Sequence, residues 1–271
     1  LVDTEVAVDD DGTIRGFKAD TLVPVGGFLV PGGSGVPTNL GVMANGQYDI
    51  PGAYVHTTGA FTNTAPLSAY RGAGRPEATY FIERLLKRVA RELDIDPVEL
   101  RRRNFIPPES FPFETTLGRT YDSGEYEKPL ARALEIVDYE GFRERQRRER
   151  SGADGRYLGI GLSCYVEACG AAPGRPEIGI VEMDPSGTVV VKTGTAEIGT
   201  GHRTGYTQIV ANELGVSPDD VEIVEGDTGE VPDGHGTAGS RAMPVGGAAV
   251  QRSAREVVDK ARRIAGHELE A

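Results

Sequence analysis

The chain has 271 residues, of which 38% are hydrophobic and 26% are charged, as in a typical globular protein with a packed core. Its 29 basic and 41 acidic residues give a net charge of −12, which argues against general binding of nucleic acids or anionic membranes, since both need a basic surface. The sequence contains neither an apolar run of the roughly 20 residues that span a bilayer nor a signal-peptide pattern at its start.

The first half of the chain predicts short strands followed by helices. Residues 5–8, 13–17 and 41–44 have strand-like composition between turns rich in Gly, Pro and Asp. From residue 77 to about 95, apolar positions recur every three or four residues, which predicts an amphipathic helix. Asp96, followed by Pro97, is typical of a helix N-cap and predicts a short helix. Further along, residues 130–137 predict another helix, and the charged run 143–150 indicates a solvated helix end or a linker.

A second unit is predicted from Tyr157 onward, and we place the domain boundary between residues 155 and 156. Its predicted strands are 159–166, 178–182, 188–192 and Val221–Glu225, and its predicted helices are 205–214 and 245–269. No internal repeat is visible. We expect an α+β fold with mixed sheets and packed helices, in two domains at 1–155 and 156–271. Because the chain starts and stops within predicted elements, we expect both domains to be partial.

Three glycine-rich segments, at residues 69–81, 193–209 and 236–247, each precede a predicted helix. Glycine lets the backbone approach a ligand closely, and a helix N-terminus favours bound anions. Arg, Ser and Thr side chains add hydrogen-bond donors for oxygen-rich ligands. Any one of these segments alone is more often a plain turn. Together they predict one large anionic ligand held from several sides, although none matches a Walker A or dinucleotide-binding motif.

The histidines and cysteines do not have the spacing of a metal site. Two cysteines are too few for an iron–sulfur cluster, and the histidines show no ligand pairing. We therefore predict no side-chain metal ligand and expect two reduced thiols, which fits a cytoplasmic protein. The residues in question are Cys164, Cys169, His56, His202, His235 and His267.

These glycine-rich segments carry a resemblance to a known family. Residues 62–66 (TNTAP) and 69–78 (AYRGAGRPEA) resemble the loop beside molybdenum in the large subunits of molybdenum hydroxylases. That family includes xanthine dehydrogenase, aldehyde oxidase and the carbon monoxide dehydrogenase large chain. Residues 194–204 resemble its GxxxxGQGxxT cofactor segment, and residues 226–228 with 236–241 resemble a third cofactor loop. The matches occur in the family's order and cover nearly the whole chain.

The resemblance implies a molybdenum–molybdopterin cofactor, often a dinucleotide, with the cytosine dinucleotide as one form. It implies that Arg71 is catalytic, lying beside the substrate and stabilising developing negative charge; the alternative is that Arg71 only braces the loop. FAD and [2Fe–2S] clusters would belong to partner subunits or other domains of a higher oligomer. The cofactor-binding residues implied are Tyr70, Gly72, Ala73, Ile198, Gly199, Thr200, Gly201, His202, Thr204, Thr237, Ala238, Gly239, Ser240 and Arg241.

The sequence also departs from the family. Gly72 stands where carbon monoxide dehydrogenases carry a copper-binding cysteine, which argues against a Mo–Cu site. Thr200 replaces the usual Gln and can donate one hydrogen bond where an amide donates two. The family's catalytic Glu, near the far C-terminus of the full subunit, has no counterpart here. We therefore expect the 271-residue chain alone to be inactive and a longer parent polypeptide to be the enzyme.

Three functions remain open from the sequence. In the first, the chain is part of an enzyme that oxidises an aldehyde or hydroxylates an N-heteroaromatic or purine-like small molecule. In the second, it is a degenerate pterin- or nucleotide-binding module without catalysis. In the third, it is a protein-interaction scaffold. The sequence does not choose the substrate, because one fold hosts many chemistries. In the first two cases we expect the three loops to converge between the domains, where such ligands often bind.

Overall fold

The computed structural model describes residues 1–150, 157–170 and 176–270. They pack into two compact units, Leu1–Glu167 and Ala168–Ala271. Both units combine a mixed sheet with helices, which confirms the α+β prediction. The predicted boundary between residues 155 and 156 lies outside the described residues and stays a prediction. Among the described residues, none of the helices combines the length and apolar character needed to cross a bilayer.

In its described residues, 1–150 and 157–167, the first unit contains a three-stranded sheet, a small hairpin and five α-helices. In the sheet the first two strands are antiparallel, with Glu5 opposite Lys18, and the second and third are parallel, with Phe17 opposite Ala53. The strands are β1 Val2–Val8, β2 Ile14–Gly26, β3 Ala53–Phe61, β4 Phe113–Glu114 and β5 Thr120–Tyr121. The helices are α1 Gly35–Val42, α2 Arg75–Glu92, α3 Pro97–Asn104, α4 Glu127–Ile136 and α5 Tyr139–Arg150.

Two local predictions in this unit are confirmed. The periodic apolar residues of α2 are buried on one face, among them Phe81, Leu85 and Val89. Asp96 caps α3 as predicted, since its carboxylate accepts a hydrogen bond from the Val98 N–H at 2.8 Å. Both features depend on residues close in sequence, so they could be predicted from local patterns.

Two predicted strands are wrong. Residues 41–44 include the end of α1, whose buried Val36 and Leu40 are spaced as a helix requires. Residues 159–166 belong to no strand. Their side chains do alternate in burial: Ile160 and Leu162 pack against the cluster around Leu130, while residues 159, 161 and 163 are exposed. Alternation indicates an extended backbone, but it does not show whether a neighbouring strand pairs with it.

The second unit, in the part that the structure describes, is a three-stranded sheet packed against two α-helices. Its strands are β6 Gly179–Met183, β7 Val189–Thr193 and β8 Val221–Glu225. Its helices are α6 His202–Leu214 and α7 Ala248–Glu268, the latter preceded by a π-helical turn at Ala242–Gly247. The core joins sheet and helices, and it consists of Val181, Val189, Val191, Tyr206, Val210, Ile223, Val250 and Ala254. These elements confirm the strands predicted at 178–182, 188–192 and Val221–Glu225 and both predicted helices.

The two units share one order of elements, although the sequence shows no repeat. In each unit two antiparallel strands are followed by a helix, a third strand parallel to the second, and another helix. The unit-one set is β1, β2, α1, β3 and α2; the unit-two set is β6, β7, α6, β8 and α7. Because the second and third strands are parallel, their carboxyl ends lie at one edge, and the loops after them are neighbours. All three glycine-rich loops occupy such positions.

Candidate functional site

The second and third glycine-rich loops form one rim in the second unit. We define the second loop as residues 194–201, between β7 and α6, and the third loop as residues 226–241, after β8. The Thr237 hydroxyl accepts a hydrogen bond from the Ala196 N–H at 2.9 Å and donates one to the Ala196 carbonyl at 2.8 Å. The Gly226 N–H also donates to the Thr195 carbonyl at 3.1 Å. The two loops are therefore held side by side by their own side chains and backbone.

The carboxylate of Glu197 organises the second loop. It accepts hydrogen bonds from the backbone N–H groups of Gly199 and Thr200, both at 2.7 Å, of Gly201 at 3.2 Å and of Arg203 at 3.3 Å. Desolvation raises the pKa of Glu197, but the four backbone donors outweigh it and lower the pKa to about 2. In this arrangement these amides bind the chain's own carboxylate and fix the shape of the loop.

We expect Glu197→Gln to destabilise the protein at neutral pH, because the amide carries no charge for the four N–H groups. The ordinary pKa of 4.5 is lowered to about 2 in the folded protein, so the charge stabilises the fold above pH 4.5. That stabilisation is lost as the pH falls towards 2. Urea unfolding of wild type and variant between pH 2 and 7 should show a stability difference that is constant above pH 5 and shrinks below it.

The matched control is Glu222→Gln, which removes an exposed carboxylate on β8. It should change the free energy of unfolding by less than about 0.5 kcal/mol, as surface substitutions usually do. A difference for Glu197→Gln that persisted undiminished at pH 2 would show that the carboxylate charge does not hold the loop.

His202 lies beneath the same loop and is buried. Its Nε2 is 2.8 Å from the Thr200 hydroxyl, and its Nδ1 is 3.7 Å from Oε2 of Glu225 at the end of β8. The same Glu225 oxygen accepts a hydrogen bond from the Thr195 hydroxyl at 2.8 Å. Tyr206 lies 3.0 Å from that hydroxyl and donates to the Ala242 carbonyl at 3.0 Å. A buried polar network thus connects the second loop with the end of the third.

Glu197, His202 and Glu225 form a group whose candidate metal-ligand atoms all lie within 4.8 Å of one another. The surroundings oppose a cation there, because four backbone N–H groups point at Glu197 and the N-terminus of α6 adds partial positive charge. We therefore interpret these three side chains as supports of the loops, since each is hydrogen-bonded to a group of the second loop, rather than as a metal site.

Arg241, at the end of the third loop, is buried. Its guanidinium donates to the equally buried Glu177 carboxylate at 3.0 Å and to the Pro176 carbonyl at 3.3 Å. Glu177 also accepts a hydrogen bond from the His235 N–H at 3.3 Å. In this arrangement Arg241 fixes the third loop from below, and a direct contact with the cofactor stays a prediction. The neighbouring Ser240, with a positive φ of 55°, is exposed on the rim.

The first loop, which we define as residues 62–74, belongs to the first unit and presents Tyr70 and Arg71 at the surface. The loop is fastened to α1, because the Asn39 side chain donates to the Ala73 carbonyl at 3.0 Å. Among the residues that the structure describes, none forms a hydrogen bond or ion pair with the Arg71 side chain, so within the first unit it does not brace the loop. Convergence of this loop with the other two stays a prediction.

The rim has the properties that a large oxygen-rich ligand requires. At Gly199, Gly201 and Gly236, a side chain would meet no atom within 4 Å, so the backbone is open to an approaching group. Hydroxyl and apolar side chains surround these glycines. The exposed ones among the predicted residues are Ile198, Thr200, Thr204, Ala238 and Ser240. The exposed hydroxyls of Thr200, Thr204 and Ser240, together with the open glycine backbone, therefore fit a large polar ligand.

Three supporting residues were not predicted from the sequence: Glu177, Glu197 and Glu225. Each accepts a hydrogen bond from a residue of a glycine-rich loop: Glu177 from His235, Glu197 from Gly199 and Glu225 from Thr195. For Glu197 a local signal existed, since an acidic residue two positions before a glycine turn can accept the backbone N–H groups of that turn. The other two act on residues that are distant in sequence.

Two compact units of one topology, with glycine-rich loops at their strand ends, are the arrangement expected of a protein that binds a large polar cofactor. Comparison with family models identifies that cofactor class. A model described as a molybdopterin cofactor-binding domain matches residues 132–271, and a second model of the same description matches residues 1–105. The chain belongs to the molybdopterin cofactor-binding domain family, and the resemblance to molybdenum hydroxylase large subunits is confirmed.

Curated relatives agree with this family. The chain is 39% identical to the carbon monoxide dehydrogenase large chain of Hydrogenophaga pseudoflava, over 99% of this chain and 35% of the relative. It is 31% identical to the nicotine 6-hydroxylase large subunit of Paenarthrobacter nicotinovorans, over 100% of this chain and 34% of the relative. The solved quinoline 2-oxidoreductase of Pseudomonas putida 86 has a TM-score of 0.92 and 34% identity, over 100% of this chain and 36% of that one. The chain thus spans about a third of these relatives.

Proposed function

We propose that this chain is part of the catalytic subunit of a molybdenum hydroxylase, which oxidises an aldehyde or hydroxylates an N-heteroaromatic or purine-like ring. One observation carries the proposal: the Thr237 side chain joins the second and third loops into a single rim with open glycine backbone. Relatives named as a nicotine hydroxylase and a quinoline oxidoreductase support the reaction class.

The rim would hold molybdenum–molybdopterin, either as molybdopterin itself or in its cytosine dinucleotide form. The bound group would supply the redox chemistry. The chain's own residues would bind and orient it: Thr200, Thr204 and Ser240 through hydroxyls, and Gly199 and Gly201 through close backbone approach. We place FAD and [2Fe–2S] clusters on partner subunits or other domains, within a cytoplasmic complex of higher order. A relative named as subunit gamma of a dehydrogenase complex supports that organisation.

Gly72 supports aldehyde or ring oxidation rather than carbon monoxide oxidation. Its φ is +87°, and a side chain there would begin 2.5 Å from both Cγ and Cδ of Pro76. A cysteine at this position would require the loop to move. The loop therefore suits a site without a copper-binding thiolate.

Arg71 is proposed as the substrate-side residue because it is exposed beside the open loop. We expect Arg71→Ala in the full-length protein to keep its molybdenum and to lower turnover about 10²–10³-fold, the usual effect of removing one preorganised donor. The control is Arg88→Ala, an exposed position on α2 that should leave turnover unchanged. Loss of molybdenum in Arg71→Ala, with turnover per molybdenum unchanged, would assign Arg71 to cofactor retention.

The proposal as a whole is tested by metal and pterin analysis of the full-length protein purified from its own cells. Molybdenum by mass spectrometry and pterin by fluorescence after oxidation should both approach one per subunit. Their absence from well-folded protein, with cofactor biosynthesis active in those cells, would contradict the proposal and favour a degenerate module or a scaffold.

A further inference from the structure

The His202–Glu225 pair contains two buried polar atoms without hydrogen bonds. The two side chains are 5% and 1% exposed. Among the described residues, neither Nδ1 of His202 nor Oε1 of Glu225 has a hydrogen-bond partner. A buried polar group without a partner is costly, so the choice of the ring nitrogen that carries the imidazole proton affects the energy of this site.

The position of the imidazole proton follows from the two neighbours of the ring. If a neutral His202 carried its proton on Nε2, the lone pair of Nδ1 would face the Glu225 carboxylate 3.7 Å away. Two groups rich in negative charge would then meet in a buried site. With the proton on Nδ1, the N–H dipole points towards the carboxylate instead. The other groups facing the ring are Glu197, whose charge is held by the loop amides, and the Tyr206 ring at 6.0 Å.

This tautomer determines what Thr200 offers to a ligand. Nε2 then holds a lone pair, and it accepts the Thr200 hydroxyl proton across 2.8 Å. The proton of Thr200 thus points inward, and the exposed side of its oxygen presents only lone pairs. An ionised phosphate, which only accepts hydrogen bonds, cannot pair with such a group, whereas a ring N–H can.

We propose that Glu225 and His202 are positioning residues for Thr200, which serves as a hydrogen-bond acceptor for an N–H donor on the heterocyclic part of the cofactor. The identity of the ligand rests on the proposed function, whereas the tautomer of His202 follows from the structure independently of that function. The acceptor role of Thr200 reverses the expectation from the sequence, in which Thr200 acted as a weaker donor than the Gln it replaces.

The tautomer can be measured without any cofactor. The measurement is solid-state NMR of the full-length protein labelled with ¹⁵N in its histidine rings. The signals of His202 are identified as those that disappear in the His202→Gln variant. We expect a proton on Nδ1 and none on Nε2. Glu225→Gln, which keeps the shape and removes the charge, should move the proton to Nε2. Protonation of Nε2 in the wild type, alone or together with Nδ1, would overturn the proposal.

Cofactor retention tests the effect on the ligand. In full-length protein purified with its cofactor, Thr200→Val should release pterin about 2–10-fold faster during dialysis, the effect of one lost hydrogen bond. Thr200→Ser keeps the hydroxyl and should differ from wild type by less than about twofold. Glu225→Gln should release pterin at about the same rate as Thr200→Val. The variant that combines both substitutions should release pterin no faster than Thr200→Val alone, because Glu225 acts through Thr200.

A double variant whose rate is the product of the two single effects would show that Glu225 acts independently, and it would overturn the proposal. Wild-type protein without molybdenum would contradict the proposed function, and the tautomer measurement would still decide the hydrogen-bond assignment.

Discussion

We expect Arg101→Met to lower the free energy of unfolding by about 3–5 kcal/mol, the usual cost of removing one partner of a buried ion pair. Arg101 is 1% exposed in α3, and it donates two hydrogen bonds to the Glu83 carboxylate of α2, at 3.0 and 2.8 Å. That carboxylate also accepts hydrogen bonds from the Tyr48 hydroxyl and the Cys164 N–H. Without Arg101, a buried negative charge would remain with only neutral donors. Urea unfolding followed by far-UV circular dichroism measures the effect.

Two further variants separate the buried charge from general effects of the substitution. Arg132→Met removes an exposed arginine that pairs with Glu135 at 2.6 Å, and it should cost no more than about 1 kcal/mol. Glu83→Gln combined with Arg101→Met removes both charges and should be more stable than Arg101→Met alone. Equal effects of Arg101→Met and Arg132→Met would show that the buried pair contributes no more than a surface pair.

Gly74→Ala should destabilise the first unit by about 2–5 kcal/mol, from the left-handed backbone together with overpacking. Gly74 has a φ of +100°, and a side chain would begin 2.0 Å from the Val36 carbonyl and 2.8 Å from the Leu40 nitrogen. Both atoms belong to the backbone of α1, so no side-chain rotation relieves the contact. The first loop, with Arg71, would have to move away from α1. Urea unfolding and molybdenum content of the full-length protein measure the two consequences.

Gly118→Ala is the matched control for backbone strain. Gly118 has a φ of +79°, but a side chain there would meet no atom within 4 Å. Gly118→Ala should therefore lower the free energy of unfolding only by the cost of the left-handed conformation, about 1–2 kcal/mol. If the two alanine variants were equally destabilised, the close approach of α1 to Gly74 would have no energetic importance.

The sequence alone determined the features that depend on neighbouring residues. Three such features were predicted: the apolar period of α2, the Asp96 cap of α3 and the strand Val221–Glu225. Each depends only on residues that are close together in sequence. The three glycine-rich loops and the family to which they belong were also recognised from short stretches of sequence.

The tertiary structure decided which groups meet across the chain. Thr237 binds Ala196 from 41 residues away, and Arg241 pairs with Glu177 from 64 residues away. Strand pairing could not be predicted from the sequence either: residues 159–166 were predicted as a strand, but no strand in the described part of the chain pairs with them. The shared topology of the two units emerged only from the pairing of their strands. Composition and period show that a residue is buried or extended, but only the folded chain determines which partner satisfies its charge or hydrogen bond.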